Sequence, residues 1–358
     1  MANIFDYLND VAYDSFYDLP VNELDVLALT ELTYLAFDGV VTQKNQRLID
    51  LAPQIPRDTT MLTNKNRLQL LDQLSQHKRF KNCKLSNFIN DIDPELQKQF
   101  AAMTYRISLD TYLLVFRGTD DSIIGWKEDF HMTYMKEIPA QKHALQYLEN
   151  FLAQHPNQKV ILAGHSKGGN LAVYAASQLD PLLQKNIVAV YTFDAPGLHK
   201  ELTETAGYQN MMERTKVFVP QGSIIGMMLE IPDKKIIVRS TALGGLAQHD
   251  TFSWQVEDKH FVQLDETNSD SQQVDTTFKE WVETVPDTEL QLYFDLFFGI
   301  ILDAGISSIN DLSSFKVIEH VHHLFVQAQS LTPEERETMG RLTQLLIDTR
   351  YQAWKNRE

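Results

Sequence analysis

Apolar positions along this chain change period several times, and each change marks an element. From residue 21 to 41, Leu24, Val26, Leu27, Leu29, Leu32, Leu35 and Ala36 recur at helical spacing. Asn22 stands before them as an N-cap, so the pattern predicts a helix over this span. Residues 42–95 are mixed and polar, with Leu68, Leu70, Leu71 and Leu74 predicting one more helix. Residues 100–108 and 111–117 are β-rich runs separated by Leu109 and Asp110, a spacing that suits a hairpin. Ala144, Leu145, Leu148, Phe151 and Leu152 then mark a helix leading into the apolar run Val160-Ile161-Leu162-Ala163. Residues 187–193 are apolar almost throughout, as in a strand covered on both faces, and 217–219 and 236–238 supply two shorter strands.

Alternating strands and helices argue for an α/β fold, a mostly parallel sheet flanked by helices, with ligands at the carboxyl ends of its strands. Residues 265–274 are polar and read as a linker between a domain over 1–264 and a helical region over 275–358. In that region Leu290, Tyr293, Phe294, Phe297 and Ile301 share a helix face, with Gly305 placed to stop it. Thr332-Pro333-Glu334-Glu335 opens a last helix with a capping box and proline at its first position.

Composition narrows the function. The 358 residues carry 48 acidic against 32 basic side chains, a net charge of −16, which argues against a nucleic-acid partner or docking on anionic membranes. Cys83 is the single cysteine, so no intrachain disulfide is expected. The first ten residues lack a basic segment and a long apolar run, so no signal peptide is expected and a cytoplasmic location follows as the default. The apolar stretch 292–302 is interrupted by Asp295 and is shorter than the roughly 20 residues of a membrane span. The run His77-Lys78-Arg79-Phe80-Lys81-Asn82-Cys83-Lys84 is locally basic and reads as a solvated face or as a docking site for an acidic group.

The candidate chemistry sits at residues 159–176. An apolar strand turns abruptly through Gly164-His165-Ser166-Lys167-Gly168 into a helix carrying Leu171, Tyr174 and Ala175 on one face. This matches G-x-S-x-G in the strand–turn–helix context that the motif requires. Side chains at 164 and 168 would keep strand and helix too far apart for so sharp a turn. Ser166 then presents its hydroxyl to a cleft, and the Lys167 amide, at a helix N-terminus, is placed to stabilise an oxyanion.

With these pieces placed, the chain resembles the α/β-hydrolases and, within them, the class 3 lipases. The matching residues are Val115-Phe116-Arg117-Gly118-Thr119, Trp126 and Asp129, Gly164 to Gly169, and Thr192-Phe193-Asp194-Ala195-Pro196-Gly197. A closer likeness, to a bacterial family of class-3-lipase-like proteins, rests on residues 219–229 and on Gln248-His249-Asp250-Thr251-Phe252-Ser253-Trp254. The resemblance implies an ester hydrolase without a cofactor, acting on a lipid or other acyl ester. It makes Ser166 the nucleophile, His249 the general base, and the Thr119 and Lys167 amides the oxyanion hole. The order serine, acid, histidine is the one expected on this fold.

The acid is where the chain departs from the pattern, because Ser223 stands where the lipases carry an aspartate. Asp194, at the end of the strand after the nucleophile helix, is the substitute; Asp250, Asp258, a serine or a water remain alternatives. Loss of the acid also admits a non-catalytic binding or scaffold protein, and the same residues would serve an acyltransferase or thioesterase. His165 is expected to point away from the site, and His260 lies further along the chain. Ile224, Ile225, Met227, Met228 and Leu229 can line an acyl pocket, form a lid or be plain core. His320, His322 and His323 lack the spacing of a helical metal site, and no metal is expected.

Overall fold

The computed structural model of the chain describes residues 2–59, 64–93, 95, 96, 98–119, 123–232, 234–306 and 327–355. Its strands are β1 (Gln46–Arg47), β2 (Lys84–Asp93), β3 (Lys98–Arg106), β4 (Thr111–Phe116), β5 (Lys159–His165), β6 (Ile187–Phe193), β7 (Thr215–Pro220), β8 (Lys235–Val238), β9 (Val256–Glu257), β10 (His260–Phe261) and β11 (Gln263–Leu264). Its longer helices are α1 (Ile4–Asp10), α2 (Glu23–Leu32), α3 (Asn64–Gln76), α4 (Ile123–His131), α5 (Pro139–Gln154), α6 (Lys167–Gln178), α7 (Ala206–Met212), α8 (Ser269–Thr284), α9 (Asp287–Asp303) and α10 (Pro333–Lys355).

Nine strands form one sheet in the order β1-β2-β3-β4-β5-β6-β7-β8-β11. Strands β4 to β8 run parallel. The strands beyond them on both sides are antiparallel. This is the α/β-hydrolase fold. One face carries α1, α2 and α3, whose Tyr7, Leu8, Leu27 and Leu71 pack with Met103, Leu113, Ile161 and Phe193 of the sheet. The other carries α5 and α6, where Leu148, Phe151, Leu171 and Ala175 meet Leu114, Val160 and Leu162. Burial on both faces explains the unbroken apolar runs of β5 and β6. Each fully buried large side chain contributes roughly 1.5–3 kcal/mol.

Three readings of the sequence need correction. The helix expected over 21–41 starts behind its Asn22 cap but ends at Leu32. There the Thr33 hydroxyl donates back to the Leu29 carbonyl at 2.9 Å and meets Tyr105 Oη at 2.8 Å. Tertiary partners thus take over where periodicity would continue the helix. The polar stretch before residue 95 contains β2, unpredicted because its outer half is largely exposed and has no apolar alternation to read. The basic run 77–84 is not one solvated face, since Arg79 is buried in an ion pair with Asp25.

Asn268 caps α8 through a bond from Ser271 N–H at 2.9 Å, so helix begins at Ser269. Helices α8, α9 and α10 enclose their own core around Trp281, Leu290, Phe294, Phe298 and Leu342. That core rests on α4, with Phe130 ring centroids 4.9 Å from Phe294 and 5.5 Å from Phe298, and Lys127 pairs with Asp295 at 2.7 Å. Gly305, at φ +82°, follows α9 as anticipated. Thr332 and Glu335 exchange capping bonds at the start of α10. The histidines 320, 322 and 323 lie outside the described residues. Among the described residues no helix is long and apolar enough to cross a membrane.

Candidate active site

Ser166 occupies the single residue between β5 and α6, at φ +56° and ψ −136°. A serine rarely adopts this conformation, and it persists because its surroundings fix it. A Cβ on Gly164 would lie 2.0 Å from the carbonyl carbon of Gly168, and one on Gly168 would lie 2.0 Å from the Phe116 carbonyl oxygen. Only hydrogen fits at either position, so the two glycines let helix and strands approach closely and keep the turn sharp. Ser166 N–H donates to the Phe193 carbonyl at 3.0 Å, and the residue keeps 8% of its surface exposed.

Asp194 follows β6 directly and is also held at positive φ, +44°. Its side chain is fully buried. Oδ2 lies 2.6 Å from His249 Nδ1. Oδ1 accepts the hydroxyl of Ser223 and the Gly226 amide, the latter at 3.1 Å. A Cβ on Gly226 would stand 2.4 Å from Oδ1, so glycine is what lets that amide reach the carboxylate. Ser223, at the position expected for an acid, thus serves as a hydroxyl donor to the aspartate one strand away. The other two aspartates lie elsewhere: Asp250 accepts from Phe252 N–H at 3.2 Å, and Asp258 is exposed in the turn between β9 and β10.

His249 ends the short turn after β8, and its side chain is 19% exposed. Gln248 pins that turn: its Oε1 accepts Gly222 N–H at 2.8 Å and its carbonyl accepts Trp254 Nε1–H at 2.8 Å.

His165 does not point away. Its ring lies against that of His249, centroids 4.4 Å apart, and its Nε2 is 3.0 Å from the His249 carbonyl. A carbonyl only accepts, so Nε2 carries the hydrogen and Nδ1 is left to accept from Tyr34 Oη–H at 3.3 Å. Tyr34 Oη in turn accepts Gly118 N–H at 3.0 Å. Burial, then the neighbouring His249, holds the His165 pKa well below the ordinary imidazole value, so it stays neutral. Glu31 Oε1 lies 3.3 Å from His165 Nδ1 and accepts the Thr251 hydroxyl at 2.9 Å, while Arg67 pairs with Oε2 and stacks on Tyr34. None of Glu31, Tyr34 or Arg67 carried a sequence signal, because each reaches the site from an element far away in the chain.

On the other side of Ser166 the Lys167 side chain is fully buried. Its Nζ donates to Glu128 Oε2 at 2.9 Å and Gln99 Oε1 at 3.1 Å, and lies 3.7 Å from Asp129 Oδ1. Glu128 also accepts Gln99 N–H at 2.9 Å and Ala140 N–H at 3.2 Å. Asp129 Oδ2 accepts the Thr119 hydroxyl at 2.5 Å. Burial raises the Asp129 carboxyl to about 6, against the opposing pull of Lys167 and the Thr119 hydroxyl. Thr119 and Lys167, expected to supply amides to one oxyanion, are therefore joined through a buried ionic cluster.

Of the expected pocket residues, Met227 is buried, whereas Ile224 and Met228 are half-buried. They flank the turn Ile225–Met227 that wraps the Asp194 carboxylate. A cavity of about 670 Å³ opens instead between Leu198, Leu229 and Glu230 on one side and Phe278, Val282 and Val285 on the other. Among the described residues no cluster of His, Cys, Asp and Glu is placed to hold a metal ion.

No curated protein matches the sequence. Similar solved structures include a mono- and diacylglycerol lipase from Aspergillus oryzae, 16% identical, covering 69% of this chain and 87% of its own, at a TM-score of 0.42. A lipase from Rhizopus microsporus var. chinensis is 16% identical over 70% of this chain and 80% of its own, at 0.39. The M37 lipase is 16% identical over 58% and 70%, at 0.37. Residues 74–299 match the family model described as Mbeg1-like.

Proposed function

The chain belongs to the Mbeg1-like family, and on that premise we propose that it is a serine hydrolase of carboxylic esters, lipid or other acyl esters, working through an acyl-enzyme. The observation that carries the reading is the 2.6 Å contact between Asp194 Oδ2 and His249 Nδ1, made at the strand ends beside a serine held at positive φ.

In this reading a serine hydroxyl, a poor nucleophile near neutral pH, attacks the ester carbonyl as His249 Nε2 takes its proton. Asp194 keeps the hydrogen on Nδ1 and stabilises the imidazolium that forms. The carbonyl oxygen becomes an anion between the amides of Thr119 and Lys167, the latter at the start of α6. His249 then returns the proton to the leaving alcohol. Water, activated by the same imidazole, releases the acid.

A non-catalytic reading drew on the serine at position 223. That serine's hydroxyl bonded to Asp194 supports the catalytic one, because it braces the carboxylate that orients His249. Acyl transfer or thioester cleavage would use the same groups, and product analysis with alcohol or thioester substrates separates them. The test is turnover of a soluble p-nitrophenyl ester. Ser166→Ala and His249→Ala are expected to remove it, and Asp194→Asn to lower kcat about 10⁴-fold by losing the productive tautomer. Full turnover by Ser166→Ala would overturn the proposal.

A further inference from the structure

None of the residues assigned to catalysis lines the cavity of about 670 Å³ that opens against α8. Its volume falls in the range of roughly 300–1,000 Å³ typical of small-molecule sites. Two stretches far apart in sequence wall it. The first joins the loop after β6 to the segment after β7. There Leu198 N–H donates to the Glu230 carbonyl at 3.2 Å, and Glu230 N–H donates back to the Leu198 carbonyl at 3.1 Å. A Cβ on Gly197 would lie 2.0 Å from the Glu230 carbonyl oxygen, so the two segments touch backbone to backbone and the wall is fixed. Leu229, on this wall, is held at φ +63°, a conformation a leucine keeps only where its surroundings impose it.

The second wall is the C-terminal half of α8 and the turn after it. Phe278 and Val282 stand one turn apart on one helix face, and Val285 follows. Phe278 and Val282 pack against the helical core yet stay half-buried, with the rest of their surface facing the cavity.

Above these apolar walls the rim is acidic. Glu204 and Glu230 stand on the first wall, Glu283 and Asp287 on the second. Glu201 is there too, but pairs with Lys136 at 2.8 Å. The basic groups at the rim are Lys200 and Lys279, with His199 the remaining titratable side chain. With Glu201 set aside, four carboxylates thus face two ammonium groups. A ligand's apolar chain would displace water from Leu229, Phe278 and Val282, and a cationic head would relieve the repulsion among the carboxylates. An anionic head would add to that repulsion, and a neutral head would gain from the apolar contact alone.

We propose that this cavity binds a single-chain cationic amphiphile, an apolar tail carrying an ammonium head, between the sheet's loops and the helical region. The site needs no nucleophile, so it stands apart from the reading of Ser166.

Isothermal titration calorimetry of the full chain tests this with dodecyltrimethylammonium, dodecanesulfonate and dodecyl maltoside, each below its micelle concentration. One equivalent of dodecyltrimethylammonium is expected to bind, about 10-fold or more tighter than dodecanesulfonate, and added salt should narrow the gap. Tetramethylammonium, the head without the chain, should bind at least about 10-fold more weakly. Glu230→Gln/Glu283→Gln should weaken dodecyltrimethylammonium by about 10-fold and leave dodecyl maltoside unchanged. Val282→Trp should fill the cavity and remove one-to-one binding of both, whereas Ser166→Ala should bind as wild type does. Dodecanesulfonate binding as tightly as dodecyltrimethylammonium would overturn the proposal, as would uptake that Val282→Trp leaves unaltered, which is adsorption to an acidic surface. Loss of binding in Ser166→Ala would place the probe at the nucleophile and overturn it as well. Should Val282→Trp fail to fold, the double glutamine variant decides alone, and unchanged affinity there rejects the site. Ester turnover enters none of these readouts, so this site and the reading of Ser166 fail separately.

Discussion

Two buried clusters of charge in this molecule are built on opposite plans. On the side of α1 and α2, Arg79 meets Asp25 at 2.5 and 2.8 Å and points its remaining donors at the carbonyls of Ser15, Leu19 and Pro20. A guanidinium has five N–H donors, and all five are matched by acceptors. On the side of α4, Lys167, Glu128, Gln99, Asp129 and Thr119 form a comparable knot, but Asp129 Oδ1 and Gln99 Nε2 have no hydrogen-bond partner among the described residues. The first cluster is closed and fixes the chain. The second is incomplete, and one of its unsatisfied atoms belongs to the carboxylate beside Thr119. A fully matched network has one low-energy arrangement of protons, whereas an incomplete one beside a reacting centre can shift them.

That contrast is open to direct attack. The largest effect should come from deleting each cluster's cation. Arg79→Leu and Lys167→Met each strand a buried carboxylate, and each should lower unfolding stability by about 3–5 kcal/mol in denaturant titrations. They should differ in the activity of the folded fraction. Arg79→Leu should keep kcat, whereas Lys167→Met should lose it along with the stability, because α4 and Thr119 shift with Glu128. If both variants keep kcat, the two clusters are alike and the distinction fails.

A middle-sized effect concerns pH. A carboxyl raised to about 6 on folding holds its proton more tightly in the folded state than at its reference value of 3.8. Its contribution to stability is complete below that reference value and is lost as pH rises through about 6. Asp129→Asn cannot titrate. Its stability relative to wild type should therefore improve by up to about 3 kcal/mol between pH 4 and 7, read from urea midpoints at several pH values. A constant difference across that range would mean Asp129 is not perturbed. Arg79→Leu should show no comparable trend over the same window.

The smallest effect should be Tyr34→Phe, which removes the hydroxyl joining Gly118 N–H to His165. Leaving that amide unpaired should cost about 1–3 kcal/mol, and rotation of His165 against His249 should lower kcat modestly. Unchanged stability would show that water replaces the hydroxyl without loss.

What could be read in advance divides by the range of the interaction. The corner at Ser166 is local: an apolar strand, two glycines and an amphipathic helix within eighteen residues announce it. Asp194 and His249 each follow a strand, so a parallel sheet gathers both at its carboxyl edge. The supporting groups had no such signal. Glu31 and Thr251 meet across 220 residues of sequence, and Tyr34 lies in what periodicity had extended as helix. His165, inside the elbow, was expected to point away, but the fold brings His249 onto the same side. Lys167 was noticed only for its amide; a lysine entirely inside the protein is invisible until Glu128 is seen to receive it. Strand β2 escaped because a half-exposed edge of polar residues carries no periodicity.

The central claim is that Ser166 is activated as a nucleophile by the Asp194–His249 pair. Fluorophosphonate labelling followed by peptide mapping tests it most directly. The account predicts one covalent adduct, on Ser166, formed rapidly by wild type and far more slowly by His249→Ala and Asp194→Asn. Labelling of Ser166 at the same rate in all three proteins, or no adduct on Ser166 in wild type, would contradict it.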